Sequence, residues 1–269
     1  METLTFYHPG KKFPSLSVTG ERCSRNCKHC QGHFLKNMVD VSTPEKLKNA
    51  AEKLSSEGAK GFLLSGGFDE KGRVPLDGYF EVLKHIKQDT DLLINIHTGL
   101  LDEDTAFDLK MADIDVVSFD MIGSRETIEE VYGLNAAPSD FQRSYELLKQ
   151  SGLEVVPHIT LGLHAGHIVG EYKALEMVSD CDKLIVNSLV PSFWGRSVSK
   201  LDIIEFLQTA RDKIDAELVL GCMRERGRHE IEIEAIELGI DGIVLPSRKT
   251  KEWSEKRYDI QVKEVCCSF

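Results

Sequence analysis

The chain has 269 residues, 41% hydrophobic and 29% charged, which is typical of one sizeable soluble domain rather than a disordered or fibrous chain. Its formal net charge of -11 argues against nonspecific nucleic-acid binding, which needs a basic face, so we expect no nucleic-acid partner. No apolar stretch approaches the ~20 residues of a membrane-spanning helix and no export signal is evident, so we expect no membrane partner and a cytoplasmic location.

Short apolar segments alternate along the chain with amphipathic segments of helical period. The apolar segments are rich in Val, Ile and Leu without clean alternation, as expected for parallel strands covered by helices. Strands are predicted at residues 14–19, 61–66, 92–97, 115–120, 154–160, 183–189, 217–222 and 241–245. These strand–helix units predict an α/β fold, a TIM-type (β/α)8 barrel that is complete rather than a shorter open barrel.

Helix boundaries between the strands carry local signals. Thr43 followed by Pro44 predicts the start of the first long helix, because threonine caps the free amide groups and proline needs none. Gly58, Gly152 and Gly239 lie where helices should end, since glycine readily adopts the left-handed conformation found there.

Cys23, Cys27 and Cys30 form a Cys-x3-Cys-x2-Cys run after the first predicted strand. The run supplies three thiolates and no obvious fourth ligand, so a metal centre there keeps one coordination position open. A structural zinc site completed by His29 and His33 is an alternative, although such sites usually contain paired Cys-x2-Cys knuckles. A disulfide is disfavoured, because the seven cysteines are odd in number and no export segment is evident. The pattern favours an iron-sulfur cluster with an exchangeable iron.

The segment SVTGERCSRNCKHC, from Ser17 to Cys30, resembles the cluster loop of the radical S-adenosylmethionine (SAM) superfamily. The resemblance implies that the three cysteines bind a [4Fe-4S] cluster, that SAM chelates the fourth iron, and that an external electron donor drives cleavage to a 5'-deoxyadenosyl radical. It also implies that His29, where the family commonly has a carbocyclic aromatic residue, packs on the adenine.

Further SAM contacts are expected where the strands end, since barrel enzymes place their chemistry there. Ser65, Gly66 and Gly67 resemble the family's Gly-Gly-Glu motif, although Phe68 and Asp69 replace the acid and a simple glycine turn is the alternative. His97, Asp120 and His158 interrupt apolar strands and should point into the barrel or onto its rim. A hydrogen-bonded core position is the alternative for such a histidine.

Two glycine- and proline-containing segments extend the resemblance. Gly162 opens a segment, residues 162–166, that resembles the family's adenosine contact, where small residues let backbone approach a cofactor. Asn187 and Pro191 belong to a segment that resembles the Pro-x-x-Gly-Thr region of biotin synthase, with Arg196 in place of the threonine. Both residues are therefore SAM-binding candidates.

Three further cysteines raise the possibility of a second cluster. Cys222 ends the seventh predicted strand, and Cys266 and Cys267 lie near the C-terminus. We expect a barrel over residues 1–248, with the cluster loop at 23–30, and a tail over 249–269 that folds across the barrel mouth and joins Cys266 and Cys267 to Cys222 in an auxiliary iron-sulfur cluster. A structural thiol is the alternative for Cys222. Ser268 is a weaker candidate ligand, by resemblance to the C-terminal serine of one-component lipoyl synthase.

Segments 6–10, 13–30 and 221–224 resemble the first subunit of the two-component lipoyl synthases of archaea. In that sulfur-inserting branch, which includes biotin synthase, a carbon radical takes a sulfide from the second cluster. The implied substrate is an octanoyl-lysine on a lipoyl-carrier protein or peptide, and the implied partner is a sister radical SAM subunit. The alternatives are a single-cluster mutase similar to methylornithine synthase and a non-catalytic iron-sulfur scaffold.

Overall fold

Strands and helices alternate along the computed structural model, which describes residues 2–191 and 194–269. The strands are β1 (Thr3–Tyr7), β2 (Ser15–Ser17), β3 (Val39–Asp40), β4 (Gly61–Ser65), β5 (Leu93–His97), β6 (Val116–Asp120), β7 (Val155–Leu161), β8 (Lys183–Ser188), β9 (Glu217–Leu220), β10 (Gly242–Val244) and β11 (Asp259–Lys263). The α-helices are α1 (Pro44–Ser56), α2 (Phe80–Asp89), α3 (Glu103–Met111), α4 (Arg125–Glu130), α5 (Pro138–Gln150), α6 (Glu171–Met177), α7 (Lys200–Lys213), α8 (His229–Glu237) and α9 (Arg248–Ser254). Short 3-10 helices cover Gly10–Lys12 and His33–Asn37.

All these strands join one curled sheet in the order β11-β1-β10-β9-β8-β7-β6-β5-β4-β2-β3. Every recorded strand pair is parallel. From β4 to β10 the strands lie side by side in chain order, each joined to the next by a helical crossover. The sheet forms a half-barrel, and its parallel direction brings the carboxyl ends of the strands to one edge.

The predicted strands correspond to β2 and to β4 through β10, whereas β1, β3 and β11 were not predicted. β3 has two residues, and the segment DIQVK of β11 is mostly polar and exposed, so neither carries the apolar signal of a buried strand. A complete barrel is not confirmed, because the pairing of the described strands leaves β11 and β3 as edges.

The predicted helix signals are confirmed. The Thr43 hydroxyl accepts a hydrogen bond from the Lys46 amide and Pro44 begins α1. Gly58, Gly152 and Gly239 follow α1, α5 and α8 with φ angles of +68°, +72° and +86°, in the left-handed region where a side chain is strained. None of the helices in the described ranges is both long and apolar enough to span a membrane.

Apolar side chains form two separate clusters. The large cluster lies between the sheet and its helices and includes fully buried Leu64 of β4. The small cluster contains Tyr7, Val116, Val156, Ile185, Val219, Val244 and Cys267. Five of these residues belong to strands β6 to β10, and the sixth strand residue comes from β1, so this second cluster fills the inner side of the curled sheet near its floor.

Replacing Leu64 by alanine should lower the free energy of unfolding by about 2–5 kcal/mol, because the sealed core leaves a cavity. Leu201 on α7 is 65% exposed, so Leu201→Ala should change the same quantity by less than ~0.5 kcal/mol. Urea unfolding of cluster-free protein under reducing conditions measures both. Equal losses in the two variants would contradict this packing.

Candidate active site

Cys23, Cys27 and Cys30 lie in the loop that follows β2. Cys27 is buried, and Cys23 and Cys30 are partly buried. The Cys27 carbonyl accepts hydrogen bonds from the amides of Cys30 at 3.0 Å and Gln31 at 2.8 Å, which tightens the loop around it. The Cys27 thiol approaches the Tyr132 carbonyl at 4.0 Å, and the Cys23 thiol approaches the Phe68 carbonyl at 3.9 Å. The loop is therefore held against the segment that follows β4 and the segment that follows α4.

The electrostatics of this loop disfavour three free thiolates. Burial, and then the neighbouring Cys23 and Cys30, raise the pKa of Cys27 to about 12. Burial likewise raises the pKa of Cys30. Thiolate ligands at this place need a compensating cation, so the donor set fits a metal centre better than three reactive nucleophiles.

The sulfur atoms are not grouped as ligands of one ion. Among the described residues, the group whose ligand atoms all lie within 4.8 Å of one another is Glu126, Glu130 and His164, not the cysteine run. In that group, the His164 Nε2 atom lies 3.7 Å from each carboxylate, as in an ordinary ion pair. The three thiols do not all lie within 4.8 Å of one another. This spacing suits a multi-iron cluster better than a single zinc ion completed by His29 and His33.

Gly66 and Gly67 lie directly against the cysteine loop. A Cβ atom on Gly67 would lie 2.0 Å from the Arg22 carbonyl oxygen and 2.6 Å from the Cys23 Cα atom. The Gly67 amide donates a hydrogen bond to the Thr19 hydroxyl at 2.7 Å, and the Ser65 carbonyl accepts one from the Val18 amide at 2.9 Å. The glycine pair thus permits a close approach of two backbones, which also explains it without any SAM contact.

His97 and Asp120 end β5 and β6, and they lie together with His158 in the middle of β7. The His97 Nε2 atom is 3.9 Å from an Asp120 carboxylate oxygen, and the ring centroids of His97 and His158 are 5.6 Å apart, edge to face. The His158 Nδ1 atom is 3.2 Å from the Val156 carbonyl oxygen. Burial, and then the nearby His97, lower the pKa of His158 to about 4, so its ring is neutral at pH 7.

His29 extends this polar group toward the cysteines. Its ring packs 5.1 Å from that of Tyr132, and its buried Nδ1 atom has no hydrogen-bond partner within the described chain. Burial lowers the pKa of His29 to about 4, although Asp120 opposes the shift. The unpartnered nitrogen and the polar groups beside it fit a hydrogen-bonding ligand such as a nucleoside.

The remaining SAM candidates lie at the ends of β7 and β8. The Gly162 amide donates a hydrogen bond to a Glu171 carboxylate oxygen at 2.8 Å, and a second Glu171 oxygen accepts from the Val169 amide at 2.5 Å. The Asn187 side-chain oxygen accepts from the Met223 amide at 3.2 Å. Pro191 is partly buried in the turn after β8, next to residues 192 and 193, which lie outside the described ranges.

The C-terminal cysteines lie on the inner side of the sheet. Within the expected tail of residues 249–269, the structure places most of α9, all of β11 and a final segment, residues 264–269. The Asn95 side-chain nitrogen lies 3.3 Å from the Cys266 sulfur. The Ser268 hydroxyl lies 2.9 Å from that of Ser118, and Cys267 is buried in the inner apolar cluster.

Cys266 and Cys222 differ in their surroundings. A hydrogen bond from the Cys267 thiol, with others from Ser268 and Asn95, outweighs burial and lowers the pKa of Cys266 to about 6. Cys222 is exposed at the end of β9, where the Arg226 guanidinium donates a hydrogen bond to its carbonyl oxygen at 2.9 Å. Cys181 is buried in the large cluster, outside this group.

Several side chains in this region escaped the sequence analysis, namely Thr19, Tyr132 and Glu171. Thr19 lies inside the cluster-loop motif, but nothing in the motif assigns it a contact with Gly67. Tyr132 follows α4 and Glu171 opens α6, two places where aromatic and acidic residues are common in any helical protein. Their roles depend on tertiary contacts, so no local pattern marks them.

Gly67→Ala should displace the Cys23 backbone and lower 5'-deoxyadenosine formation about ten-fold or more, since overpacking of this kind costs ~1–3 kcal/mol. Gly239→Ala is the control, because a Cβ atom there meets no atom within 4 Å, and its positive φ affects stability alone. Iron content and 5'-deoxyadenosine are measured after anaerobic reconstitution. Normal values in Gly67→Ala would refute the close approach.

The free energy of unfolding should fall as the pH decreases from 6.5 toward 4, because the unfolded chain protonates His158 before the folded chain, whose pKa is about 4, does. In His158→Gln this decline should be shallower by up to about 1.4 kcal/mol per pH unit. Urea unfolding at several pH values measures both slopes. An unchanged slope would show that His158 is not buried in its neutral form.

Comparison with known families gives one clear match. The profile of the radical SAM superfamily matches residues 17–167, more than half of the chain. A comparison with curated protein sequences finds no significant match.

Solved structures share the fold. The FeFe-hydrogenase maturase HydG from Carboxydothermus hydrogenoformans has a TM-score of 0.63 and 18% identity, covering 90% of this chain and 58% of its own. Methylornithine synthase (PylB) has a TM-score of 0.57 and 17% identity, covering 91% of this chain and 71% of its own. The anSMEcpe structure with bound AdoMet has a TM-score of 0.53 and 20% identity, covering 78% of this chain and 60% of its own. The chain thus spans less than two thirds of the HydG and anSMEcpe chains, and at these identities the likeness concerns the fold.

The profile match includes Cys23, Cys27 and Cys30, the Gly66–Gly67 pair and the polar group at the ends of β5 to β7. It therefore covers the part of the half-barrel in which the thiols and the neutral histidines lie together. On this match the chain belongs to the radical SAM superfamily, a membership that implies a [4Fe-4S] cluster and SAM.

Proposed function

We propose that this radical SAM enzyme inserts sulfur into an unactivated C–H bond, with Cys23, Cys27 and Cys30 holding the SAM-binding cluster. When bound, the reduced cluster and SAM would supply a primary carbon radical that abstracts a hydrogen atom from a C–H bond, which is the cofactors' own chemistry. The chain's task is to hold the reacting groups close together and to keep water and other hydrogen donors away.

The SAM-binding surface in this proposal consists of the side chains and backbone groups at the ends of β4 to β8. They are His29, Ser65, Gly66, Gly67, His97, Asp120, His158, Gly162, Asn187 and Pro191. Neutral histidines and an aspartate offer both donors and acceptors, which suits the adenine and ribose hydroxyl groups. His29, with its unpartnered Nδ1 atom, is assigned to the adenine.

The observation that carries the sulfur-insertion proposal is the position of the C-terminal cysteines. Cys267 is buried in the inner cluster of the half-barrel, and Cys266 contacts Asn95 of β5. A terminal cysteine pair brought inside a barrel, with Cys222 at the end of β9, provides three thiols for an auxiliary iron-sulfur cluster. Ser268, buried and next to Ser118, is a weaker candidate for a fourth ligand.

The proposed substrate is an octanoyl-lysine on a lipoyl-carrier protein or peptide. This assignment rests on the resemblance of residues 6–10, 13–30 and 221–224 to the first subunit of two-component lipoyl synthases. The same resemblance supports a sister radical SAM subunit as a partner and an external electron donor. We also propose that the assembled fold works as a closed barrel, with residues 249–269 as its C-terminal cover.

A radical mutase acting on a polar substrate is the second candidate. Polar His97, Asp120 and His158 line the upper part of the half-barrel, a surface that suits a charged amino acid better than an alkyl chain. The structure named methylornithine synthase shares the fold at 17% identity, which does not extend to its substrate. A mutase needs no second cluster, and a passive scaffold would need no SAM cleavage.

Iron counting separates these functions. Anaerobically reconstituted protein should contain roughly eight irons per chain if it holds two [4Fe-4S] clusters, and roughly four if it is a single-cluster mutase. Replacing Cys222, Cys266 and Cys267 by alanine should lower the count to roughly four and leave reductive formation of 5'-deoxyadenosine intact.

Cys181→Ala is the matched control, because Cys181 is also a buried thiol but lies in the outer core. It should keep the full iron content. An unchanged iron content in the triple variant would eliminate the auxiliary cluster, and absence of 5'-deoxyadenosine in the wild-type protein would favour the scaffold.

A further inference from the structure

Lys183, the first residue of β8, places a charged ammonium group inside the half-barrel. Its side chain is 8% exposed. The Nζ atom lies 2.9 Å from the Phe269 carbonyl oxygen, 3.1 Å from the Tyr7 hydroxyl and 3.2 Å from a Glu217 carboxylate oxygen. Two hydrogen bonds, to Phe269 and Tyr7, and one ion pair, with Glu217, therefore surround the ammonium group.

The Tyr7 hydroxyl and Glu217 complete this arrangement. Tyr7 donates a hydrogen bond to Glu217 at 2.9 Å while it accepts one from Lys183. Burial raises the pKa of Tyr7, which keeps the donating hydroxyl protonated. Glu217 is 37% exposed, so water can solvate its carboxylate when the lysine is removed. The strands of the half-barrel therefore do not need this ion pair for their stability.

Burying an ammonium group is costly, and apolar side chains of similar volume often stabilise a protein as well as a buried ion pair does. The Lys183 Nζ atom lies 5.3 Å from the ring centroid of Tyr7, which belongs to the inner apolar cluster. Its acceptor from outside the strands is the Phe269 carbonyl. We therefore assign the buried Lys183 charge to the stabilisation of the C-terminal segment.

A short chain of contacts links Phe269 to the two cysteines. The Phe269 amide donates a hydrogen bond to the Cys266 carbonyl at 3.1 Å, which closes a turn over residues 266–269. The Phe269 ring packs 5.4 Å from that of Phe13, just before β2. Lys263 also reaches the Phe269 carbonyl, at 3.4 Å. Fixing Phe269 fixes the direction in which Cys266 and Cys267 enter the half-barrel.

We propose that Lys183 is a positioning residue for the site formed by Cys222, Cys266 and Cys267. Its ammonium group holds the turn over residues 266–269 and thereby keeps Cys266 and Cys267 inside the half-barrel. The role of the thiols as cluster ligands rests on the proposed function, whereas the anchoring itself does not. Lys183 touches no reacting atom, so its effect passes through the tail.

The anchoring is tested by thiol alkylation of the full chain without clusters. Native protein is treated with iodoacetamide and then digested with trypsin, which cleaves after Lys263 and releases a peptide containing both cysteines. In Lys183→Met the two thiols should be alkylated at least about ten-fold faster, because the turn loses a charge-assisted hydrogen bond and opens more often. Lys183→Arg, which keeps the charge and the donors, should restore much of the protection.

Lys87→Met is the matched control, because Lys87 is 15% exposed and its ammonium group bonds Asp115 at 2.7 Å and the Leu92 carbonyl rather than the tail. It should leave tail alkylation unchanged. A chain lacking Phe269 retains the Lys183–Glu217 pair and should show the same acceleration as Lys183→Met. Alkylation at the wild-type rate in either Lys183→Met or the shortened chain would overturn the proposal.

Iron content then separates the two claims. With an auxiliary cluster, Lys183→Met should lose roughly four irons per chain and still form 5'-deoxyadenosine. If the wild-type protein itself holds roughly four irons, the auxiliary cluster fails, and the alkylation rates alone decide the role of Lys183. Full iron content in Lys183→Met together with a protected tail would refute the anchoring.

Discussion

Parallel pairing of the strands is the constraint on which the rest of this structure depends. Each crossover returns the chain to the same end of the sheet, so the carboxyl ends of β2 and β4 to β10 lie along one edge. Because the sheet curls, side chains that alternate inward along neighbouring strands face one another across the interior. His97, Asp120 and His158 meet for this reason, although 61 residues separate the first from the last. The same curl brings Asn95 and Ser118 to the final residues of the chain.

The second constraint is the contact between the glycine pair and the cysteine loop. Gly67 leaves no room for a Cβ atom beside Arg22 and Cys23, and its amide bonds to Thr19. One side of the loop therefore rests on the end of β4, and the other rests on the Tyr132 carbonyl. The loop has little regular secondary structure, so these contacts decide where its thiols point. Gly67, which in isolation resembles a simple turn residue, is here required for the placement of three thiols.

The sequence predicted those features that depend on local pattern. The strands β2 and β4 to β10 were found because buried parallel strands need continuous apolar residues, and Thr43, Gly58, Gly152 and Gly239 mark helix ends through their own backbone chemistry. The strand β11 was missed because it is a polar edge strand, and Tyr132 and Glu171 were missed because only tertiary contacts give them a role. The sequence predicted that His97, Asp120 and His158 each face the barrel, whereas their contacts with one another and the closure of the barrel depend on pairing partners that no single segment encodes.

The interior has two layers of opposite character, and this division bears on the chemistry. Near the mouth, neutral His29 and His158, together with Asp120, surround the space beside the cysteine loop. Near the floor, the apolar inner cluster is already filled by Cys267 and the tail.

An alkyl chain that entered the barrel would meet polar groups first and would find the apolar floor covered. Sulfur insertion therefore requires that the reacting carbon stop above the tail, beside Cys222 and Cys266, and that the rest of an octanoyl chain lie along the rim or against a partner. A polar substrate has no such requirement. The iron bound through Cys222, Cys266 and Cys267, rather than the shape of the fold, therefore distinguishes sulfur insertion from the mutase reaction.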